Sequence, residues 1–256
     1  MQALDLDFHL ALSNATAPDA AHRVPFMVNV RNQLLEPLEQ YAEYHHQSPY
    51  TKVIFLDSTY FCAHSILSLL ATADTQQADL ACGLNFSDAE GALQFSDTWT
   101  ARDIAGRAFD QDPADLVSDA QGRQRLEAQL PFQVQACWNG LAVLDAAFFY
   151  DAHNTTFRVN RKDECVGPET LLLAQDLARE GLDRFVVDPT VRVTNSAATW
   201  ELLQAHGTLL PPAVGNTTAL PTEVAYVEGS AEVYCAPVDV AAPGSQNKNG
   251  TWVSWA

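Results

Sequence analysis

The chain has 256 residues, 47% of them hydrophobic, which is enough to fold around a sizeable core as one large domain. Its 32 acidic residues outnumber its 14 basic residues and give a formal net charge of −18, a field that repels a nucleic-acid backbone and argues against nucleic acid as a partner. A ligand that carries a diphosphate is repelled as well unless a divalent cation intervenes, so the charge favours a metal.

Residues 1–22 are acidic and have no clear periodicity, so we expect an irregular segment and an ordered chain from Arg23 onward. The first residues lack the basic leader and apolar core of a signal peptide, and no run of 18 apolar residues occurs. The chain as given is therefore predicted to contain neither a signal nor a membrane anchor.

The elements from Arg31 to residue 86 predict an α/β fold. Apolar residues at helical spacing predict a helix over 31–41, with Pro37 near its first turn or at a kink. The apolar run 52–58 predicts a central strand with Asp57 at its carboxyl end, where ligands of open α/β sheets bind. A helix over 63–73 and a second buried strand over 79–86 follow, which favours some parallel pairing.

The middle of the chain continues this pattern. The Asp/Gln-rich stretch 110–129 predicts a surface loop with a short helix, and 133–136 predicts a strand. A helix from Pro168 to Gly181 has proline suited to its first turn and glycine suited to its end. Residues 185–193 predict a strand interrupted by proline, and the proline- and glycine-rich residues 206–256 predict an irregular tail.

Glycosylation signals and cysteines indicate the compartment. Five Asn-x-Ser/Thr sequons occur where chance predicts about 1.3, which favours passage through the secretory lumen. They lie at Asn14, Asn85, Asn154, Asn216 and Asn249, and the one at Asn85 ends an apolar run, where a glycan fits poorly.

The five cysteines show no zinc-type spacing and allow at most two disulfides and one free thiol; the pairing stays open, as does the alternative of reduced, buried cysteines in a cytosolic protein. They are Cys62, Cys82, Cys137, Cys165 and Cys235.

The segment Cys137-Trp138-Asn139-Gly140 is the most informative motif. An indole beside a carboxamide, with a glycine that allows close backbone approach, suits a polar ring with apolar faces and predicts a sugar site. The alternative is a buried tryptophan followed by a turn, since Asn-Gly is a common turn signal.

Several motifs in the same order resemble one family, the fungal capsule-associated α-1,3-mannosyltransferases of glycosyltransferase family 69, over residues 24–199. The motifs are Arg31-Asn32-x-x-Leu35-Glu36-Pro37-Leu38, Val53-Ile54-Phe55-Leu56-Asp57, Ala81-Cys82-Gly83-Leu84, Asp97-Thr98-Trp99-x-x-Arg102-Asp103, Cys137-Trp138-Asn139-Gly140 and Glu164-Cys165-x-x-x-Glu169.

The resemblance implies a GT-A-like mixed sheet flanked by helices, in a Golgi type II membrane enzyme that transfers mannose from GDP-mannose to a mannose-containing glycan with a divalent metal, Mn²⁺ or Mg²⁺. Two departures stand out. The family's Phe-Leu-Asn-Asp is Phe55-Leu56-Asp57-Ser58 here, and Asn85 replaces a usual aspartate. The family's first strand, helix and strand have no recognisable counterpart before Arg23, which predicts a partial domain over 23–205 that lacks the N-terminal part of the nucleotide-binding half and has no anchor of its own.

The resemblance and the residue chemistry together assign candidate roles. Asp57 offers hard oxygen ligands to the metal, and either Glu164 or Glu169 faces the reacting sugar as the catalytic carboxylate. The substrate-binding candidates are Arg31, Asn32, Arg102, Asp103, Trp138, Asn139 and Gly140.

Each role has a structural alternative. For Asp57 the alternative is a cap of the following turn, for Arg102 it is an ion pair with Asp97 or Asp103, and for Glu169 it is an interaction with the dipole of its own helix. For the whole chain the alternatives are a non-catalytic, truncated sugar-binding remnant of the same family and an acidic structural glycoprotein without a site.

Overall fold

The computed structural model shows five α-helices and nine β-strands within the residues that it describes. These residues are 16, 23–45, 50–150, 155–162, 164–205, 220–235 and 250–255. The helices are α1 (Arg23–His45), α2 (Ala63–Thr75), α3 (Ala120–Glu127), α4 (Glu169–Arg179) and α5 (Ala197–Ala205). The strands are β1 (Lys52–Leu56), β2 (Leu80–Ala89), β3 (Ala92–Phe95), β4 (Arg102–Asp103), β5 (Phe132–Ala136), β6 (Leu141–Asp145), β7 (Phe185–Thr194), β8 (Glu232–Cys235) and β9 (Thr251–Ser254).

Seven of these strands form one mixed sheet. Its order is β1-β6-β2-β7-β5-β4, and β3 pairs with β2 beside this path. The β2–β7 pair is parallel, and the other pairs are antiparallel. The predicted α/β class, a mixed sheet flanked by helices, is therefore confirmed, whereas the closer likeness to a GT-A fold stays a prediction.

The first strand lies at an edge of this sheet among the described residues. β6 separates β1 from β2, so the two run in the same direction without pairing, and the parallel pairing occurs between β2 and β7 instead. The predicted central position of β1 was wrong, because a continuous apolar run does not reveal which strand will be its neighbour. As a result, Ile54 and Leu56 are 37% and 41% exposed.

The sheet separates two apolar clusters. The even-numbered residues at the start of β2, such as Leu80 and Cys82, belong to the larger cluster together with residues of α1 and α4. Ala81 belongs to the smaller cluster, with Leu69 of α2. This alternation follows from the strand period of two and places α1 and α4 on one face of the sheet and α2 on the other.

Most local predictions are confirmed. α4 begins directly after Pro168, and Gly181 follows its C-cap with a positive φ of +78°, as helix termini favour. The Asp/Gln-rich stretch contains a short 3₁₀ turn and α3. The helix predicted over 31–41 is longer, and Pro37 lies inside α1 rather than in its first turn.

The C-terminal residues are more ordered than we expected. β8 and β9 pair as an antiparallel hairpin, and a disulfide joins Cys165 to Cys235. Val233 and Trp255 are buried, and the Gln175 side chain donates a hydrogen bond of 3.0 Å to the Trp255 carbonyl. An irregular tail was therefore the wrong description for β8 and β9, which are attached to the rest of the domain by Cys165 and Gln175 from much earlier in the sequence. The predicted irregular segment 1–22, apart from residue 16, lies outside the described residues.

The other sequence expectations have mixed outcomes. The Asn85 side chain is buried and donates a hydrogen bond of 3.1 Å to Oδ1 of Asn195, so this sequon is not accessible in the folded chain. The remaining four sequon asparagines lie outside the described residues. Within the described part of the chain, none of the helices combines the length and apolarity that a membrane span requires.

Candidate functional site

Asp57 and Trp138 meet at the carboxyl end of β1. The antiparallel pairing of β1 with β6 continues past the strand, because the Asp57 amide donates a hydrogen bond of 3.0 Å to the Gly140 carbonyl. The Trp138 indole Nε1 in turn donates to Oδ2 of Asp57 at 2.8 Å. Two of the candidate site residues from the sequence analysis, a strand-end carboxylate and the tryptophan of the Cys137–Gly140 motif, are thus in direct contact in the structure.

Arg31 of α1 joins this pair. Its Nη2 donates to the same Asp57 Oδ2 at 2.9 Å, and its Nε lies 2.9 Å from Oε1 of Glu169 at the start of α4. The guanidinium lies over the Trp138 ring, 4.4 Å from its centroid, and near the rings of Phe55 and Phe157. We call Arg31, Asp57, Trp138 and Glu169 the carboxylate–arginine cluster.

Aromatic rings surround the Arg31 guanidinium of this cluster. Phe55, Trp138 and Phe157 contact one another with ring centroids 4.9 to 5.7 Å apart and form three sides of a box around the guanidinium. Asn32, the residue after Arg31, fixes α1 to this box. Its side chain accepts a hydrogen bond from the Phe157 amide and donates one to the Phe157 carbonyl, each at 2.9 Å. Asn32 therefore fixes α1 against these rings, and both of these side-chain hydrogen bonds go to the protein backbone.

Burial decides which members of the cluster can meet a ligand. Arg31 and Glu169 are each 4% exposed and Trp138 is 2% exposed, whereas the Asp57 side chain is 38% exposed. Burial raises the pKa of Glu169, and the nearby charge of Arg31 opposes this rise. Asp57 is consequently the member that presents charge to solvent, and the others position it.

The turn after Trp138 has a backbone that its sequence explains. Asn139 and Gly140 have φ values of +56° and +75°, a region that asparagine tolerates and glycine favours. A Cβ atom on Gly140 would lie 2.8 Å from Cγ2 of Thr59 and 3.1 Å from Nδ2 of Asn85. The glycine is thus required for close packing within the chain, which differs from the ligand approach that we expected.

Asn139 is fully buried and makes its contacts inside the protein. Its Nδ2 donates to the Gly83 carbonyl at 2.7 Å, and its amide donates to Oδ2 of Asp97 at 2.9 Å. Asn139 therefore stabilises the turn. A direct contact between Asn139 and a sugar stays a prediction, and it would require this turn to open.

Asp97 is a neighbour of the site that the sequence analysis did not single out. Besides the Asn139 amide it accepts a hydrogen bond from the Thr100 amide, and it interacts electrostatically with Asp57. Burial raises the pKa of Asp97, while the hydrogen bond from Asn139 lowers it. The sequence feature that could have indicated Asp97 is its position as the first residue of the motif that ends in Arg102-Asp103.

Arg102 and Asp103 lie in a separate buried network. The Arg102 guanidinium donates to the backbone carbonyls of Thr98, Trp99, Ala101 and Tyr234, and burial lowers its pKa to about 10. Asp103 accepts hydrogen bonds from several backbone amides. The structure does not bring either residue into the carboxylate–arginine cluster, and substrate binding by the Arg102 guanidinium would require these carbonyls to release it.

Glu164 also lies outside the carboxylate–arginine cluster. Arg158 bridges it to Asp176, with Nη1 2.7 Å from Oε2 of Glu164 and Nε 2.5 Å from Oδ2 of Asp176, and Arg179 lies 3.2 Å from Glu164. Desolvation opposes ionisation of Glu164, but the hydrogen bonds from Arg158, the Arg161 amide and Arg179 outweigh it and lower its pKa to about 2. Of the two glutamates predicted as catalytic, only Glu169 belongs to the cluster.

The structure offers a metal only part of its coordination shell. Within the described ranges, no three His, Cys, Asp or Glu side chains are grouped closely enough to hold a metal ion by themselves. The Asp57 carboxylate accepts hydrogen bonds from Arg31 and Trp138 at Oδ2, and Oδ1 receives none from a described residue. One carboxylate oxygen suits a magnesium-type cation that takes its other ligands from substrate phosphates and water, so the residues fit a cation that arrives with a diphosphate.

Comparison with known proteins identifies relatives of this chain. The sequence profile of the family described as cryptococcal mannosyltransferase 1 matches residues 3–176, which is more than half of the chain. The match begins before Arg23, where the sequence analysis had recognised no family motif. Alpha-1,3-mannosyltransferase CMT1 of Cryptococcus neoformans var. neoformans is 27% identical over 184 residues. This alignment covers 67% of the chain but only 39% of that relative's length.

Proposed function

The chain belongs to the cryptococcal mannosyltransferase 1 family, and from this premise we propose that it transfers a mannosyl group from GDP-mannose to a hydroxyl group of a mannose-containing glycan. The observation that carries the proposal is the carboxylate–arginine cluster, in which one solvent-facing carboxylate is held by an indole and a guanidinium at a strand end. Strand ends of α/β sheets are where such folds bind ligands. The product that we expect is a cell-wall or capsule glycan with an α-1,3-linked mannose.

The charge of the cluster supports a divalent cation as cofactor. Arg31 carries one positive charge against the two carboxylates of Asp57 and Glu169, and Asp97 adds negative charge nearby. A nucleotide diphosphate is therefore repelled by the cluster itself. We propose that Asp57 would hold Mn²⁺ or Mg²⁺ together with the diphosphate of the donor, and that the cation would supply neutralisation of the negative charge on the leaving group.

The buried members of the cluster act through Asp57 in this proposal. Trp138 and Arg31 both donate to Oδ2, which restrains the carboxylate and leaves Oδ1 without a hydrogen bond from a described residue. Glu169 holds Arg31 from the other side. A pre-positioned ligand atom lowers the entropy lost when the donor binds, which is the advantage of building the site on a strand end and two helices.

Turnover tests the proposal directly. The purified chain is incubated with GDP-mannose, Mn²⁺ and an α-mannoside acceptor, and released GDP and mannosylated acceptor are measured by mass spectrometry. We expect both products in equal amounts, loss of both with EDTA, and recovery when Mn²⁺ is restored. A folded sample that forms neither product with Mn²⁺ or Mg²⁺ would contradict the proposed activity.

A non-catalytic, sugar-binding remnant of the family is the second candidate function. One observation favours it: β1, whose carboxyl end positions Asp57, lies at the sheet edge among the described residues and exposes Ile54 and Leu56. Isothermal calorimetry separates the candidates. Mannoside binding without metal-dependent binding of GDP indicates the remnant, whereas metal-dependent binding of GDP-mannose indicates the enzyme.

The disulfides support a location in the secretory pathway, and we propose the Golgi lumen as the working compartment. Cys82 pairs with Cys137 and Cys165 with Cys235, while Cys62 is a free, exposed thiol. Disulfides form and persist in such oxidising compartments and are rare in the cytosol. Mass mapping of the protein purified from its source should find both disulfides oxidised and glycans on sequons other than Asn85.

A further inference from the structure

The Cys82–Cys137 disulfide lies directly beside the carboxylate–arginine cluster. Cys137 precedes Trp138 in the chain, and its partner Cys82 lies in β2, the neighbour of both β6 and β7. Both cysteines are fully buried. The bond therefore ties the backbone on the N-terminal side of Trp138 to the middle of the sheet.

The C-terminal side of Trp138 is tied to the same strand by a different contact. Asn139 donates its side-chain hydrogen bond of 2.7 Å to the carbonyl of Gly83, the residue after Cys82. Trp138 is thus held on both sides by consecutive residues of β2. Its indole reaches Oδ2 of Asp57 at 2.8 Å from this anchored backbone, across 81 residues of sequence.

The second disulfide has a different position. Cys165–Cys235 joins the segment before α4 to β8, the first strand of the C-terminal hairpin. The two bonds close loops of similar length, with sequence separations of 55 and 70 residues. Loop-closure entropy varies only with the logarithm of this length, so their expected effects on the unfolded chain differ by only about 0.2 kcal/mol. A difference between their effects on Trp138 would therefore report on local geometry.

We propose that the Cys82–Cys137 disulfide is a positioning element of the site: it sets the place of the Trp138 indole against Asp57, and its effect is confined to the turn 137–140. Cys82 and Cys137 are positioning residues in this sense, since they act through Trp138. The position of the indole can be measured without any ligand, so this part of the inference does not depend on the proposed function. Only the expected effect of the disulfide on GDP-mannose binding rests on the proposed function.

The test compares two double variants, Cys82→Ala/Cys137→Ala and Cys165→Ala/Cys235→Ala, in uniformly ¹⁵N-labelled protein. The chain has five tryptophans, and the indole N–H signal of Trp138 is the one that disappears in Trp138→Phe. We expect the first variant to move this signal toward that of an unbonded indole and to speed its solvent exchange by about tenfold, equivalent to about 1.4 kcal/mol. The second variant should leave it in place while lowering the melting temperature by a similar amount.

An unmoved Trp138 signal in the first variant, or equal movement in both, overturns the proposal. If the alanine variant does not fold, Cys82→Val/Cys137→Ala, which restores some of the lost volume, is measured instead. Failure of both to fold while the control variant folds also counts against it, because the effect would then be global rather than confined to the turn. GDP-mannose affinity is measured in parallel; a moved indole with unchanged affinity keeps the positioning claim and weakens only the proposed function.

Discussion

The Trp138 indole Nε1 donates a hydrogen bond of 2.8 Å to Oδ2 of Asp57, although the two residues are 81 positions apart. The same oxygen accepts a second hydrogen bond from Arg31. An oxygen that is saturated in this way fixes the orientation of the whole carboxylate, so the other oxygen is offered to a ligand in a single geometry. This relationship is the basis of the following predictions.

Replacement of Asp57 should remove metal-dependent donor binding without unfolding the protein. Asp57→Asn keeps the shape of the side chain and an oxygen acceptor for Trp138, but it removes the charge that a cation requires. We expect the affinity for GDP-mannose with Mn²⁺ to fall by about tenfold or more, measured by calorimetry. Asp74→Asn is the matched control, since the Asp74 side chain is 71% exposed on α2; an equal loss in both variants would remove Asp57 from the site.

Substitution of Trp138 should lower the free energy of unfolding more than substitution of an exposed tryptophan does. Trp138→Phe removes the hydrogen bond to Asp57 and part of the surface beneath Arg31, so we expect a loss of about 2–4 kcal/mol in the free energy of unfolding. Trp252→Phe, at a side chain that is 43% exposed, should change it by less than about 0.5 kcal/mol. Urea denaturation followed by circular dichroism measures both values, and similar losses would show that the indole hydrogen bond is not maintained in solution.

The pH dependence of stability should reveal the burial of Glu169. Because its pKa is raised in the folded chain, the folded state binds this proton more tightly than the unfolded state, whose pKa is near 4.5. The stability that Glu169 contributes is therefore greatest below about pH 4.5, and it falls as the pH rises through the pKa of Glu169 in the folded chain. Glu169→Gln should flatten this decline in urea midpoints above pH 4.5, and an unchanged slope would contradict a raised pKa of Glu169.

Glu164 should contribute a pH dependence of stability that is opposite in sign to that of Glu169. Its pKa is lowered to about 2 from 4.5, so the stability that its ion pairs contribute is complete above 4.5 and is lost as the pH falls toward 2. We expect Glu164→Gln to lose about 1–3 kcal/mol at neutral pH and progressively less on acidification. Turnover in the same variant tests its predicted catalytic role: a loss of rate that exceeds the loss of folded protein would restore Glu164 to the active site.

Asn85 should carry no glycan although it lies in a sequon. Its side chain is 8% exposed and hydrogen bonded to Asn195, in the middle of β2. Glycopeptide mass spectrometry of protein secreted from a eukaryotic host checks this expectation. Occupied Asn85 in folded protein would mean that the packing of β2 around this residue differs from the structure.

The sequence predicted the local elements and part of the site. α2, α4 and the strand that ends at Asp57 have strong periodicity or clear end signals, and both Asp57 and Trp138, which are in contact in the structure, are candidate site residues in the sequence. The Arg31–Glu169 pair could not be predicted in this way, since it joins two helices that are far apart in the chain. Burial of the Trp138 indole, which removes it from direct sugar stacking in this structure, depends on packing against Phe55 and Phe157.

The edge position of β1 has a practical consequence for work with this chain. Its outward backbone groups pair with no other strand among the described residues, and Ile54 and Leu56 stand beside them at the surface. Such edges recruit any extended segment that can complete their hydrogen bonds, including the same strand of another molecule. Refolding at low protein concentration, or a charged substitution such as Ile54→Lys, should reduce association through this edge. Activity at Asp57 could then be measured on separate molecules.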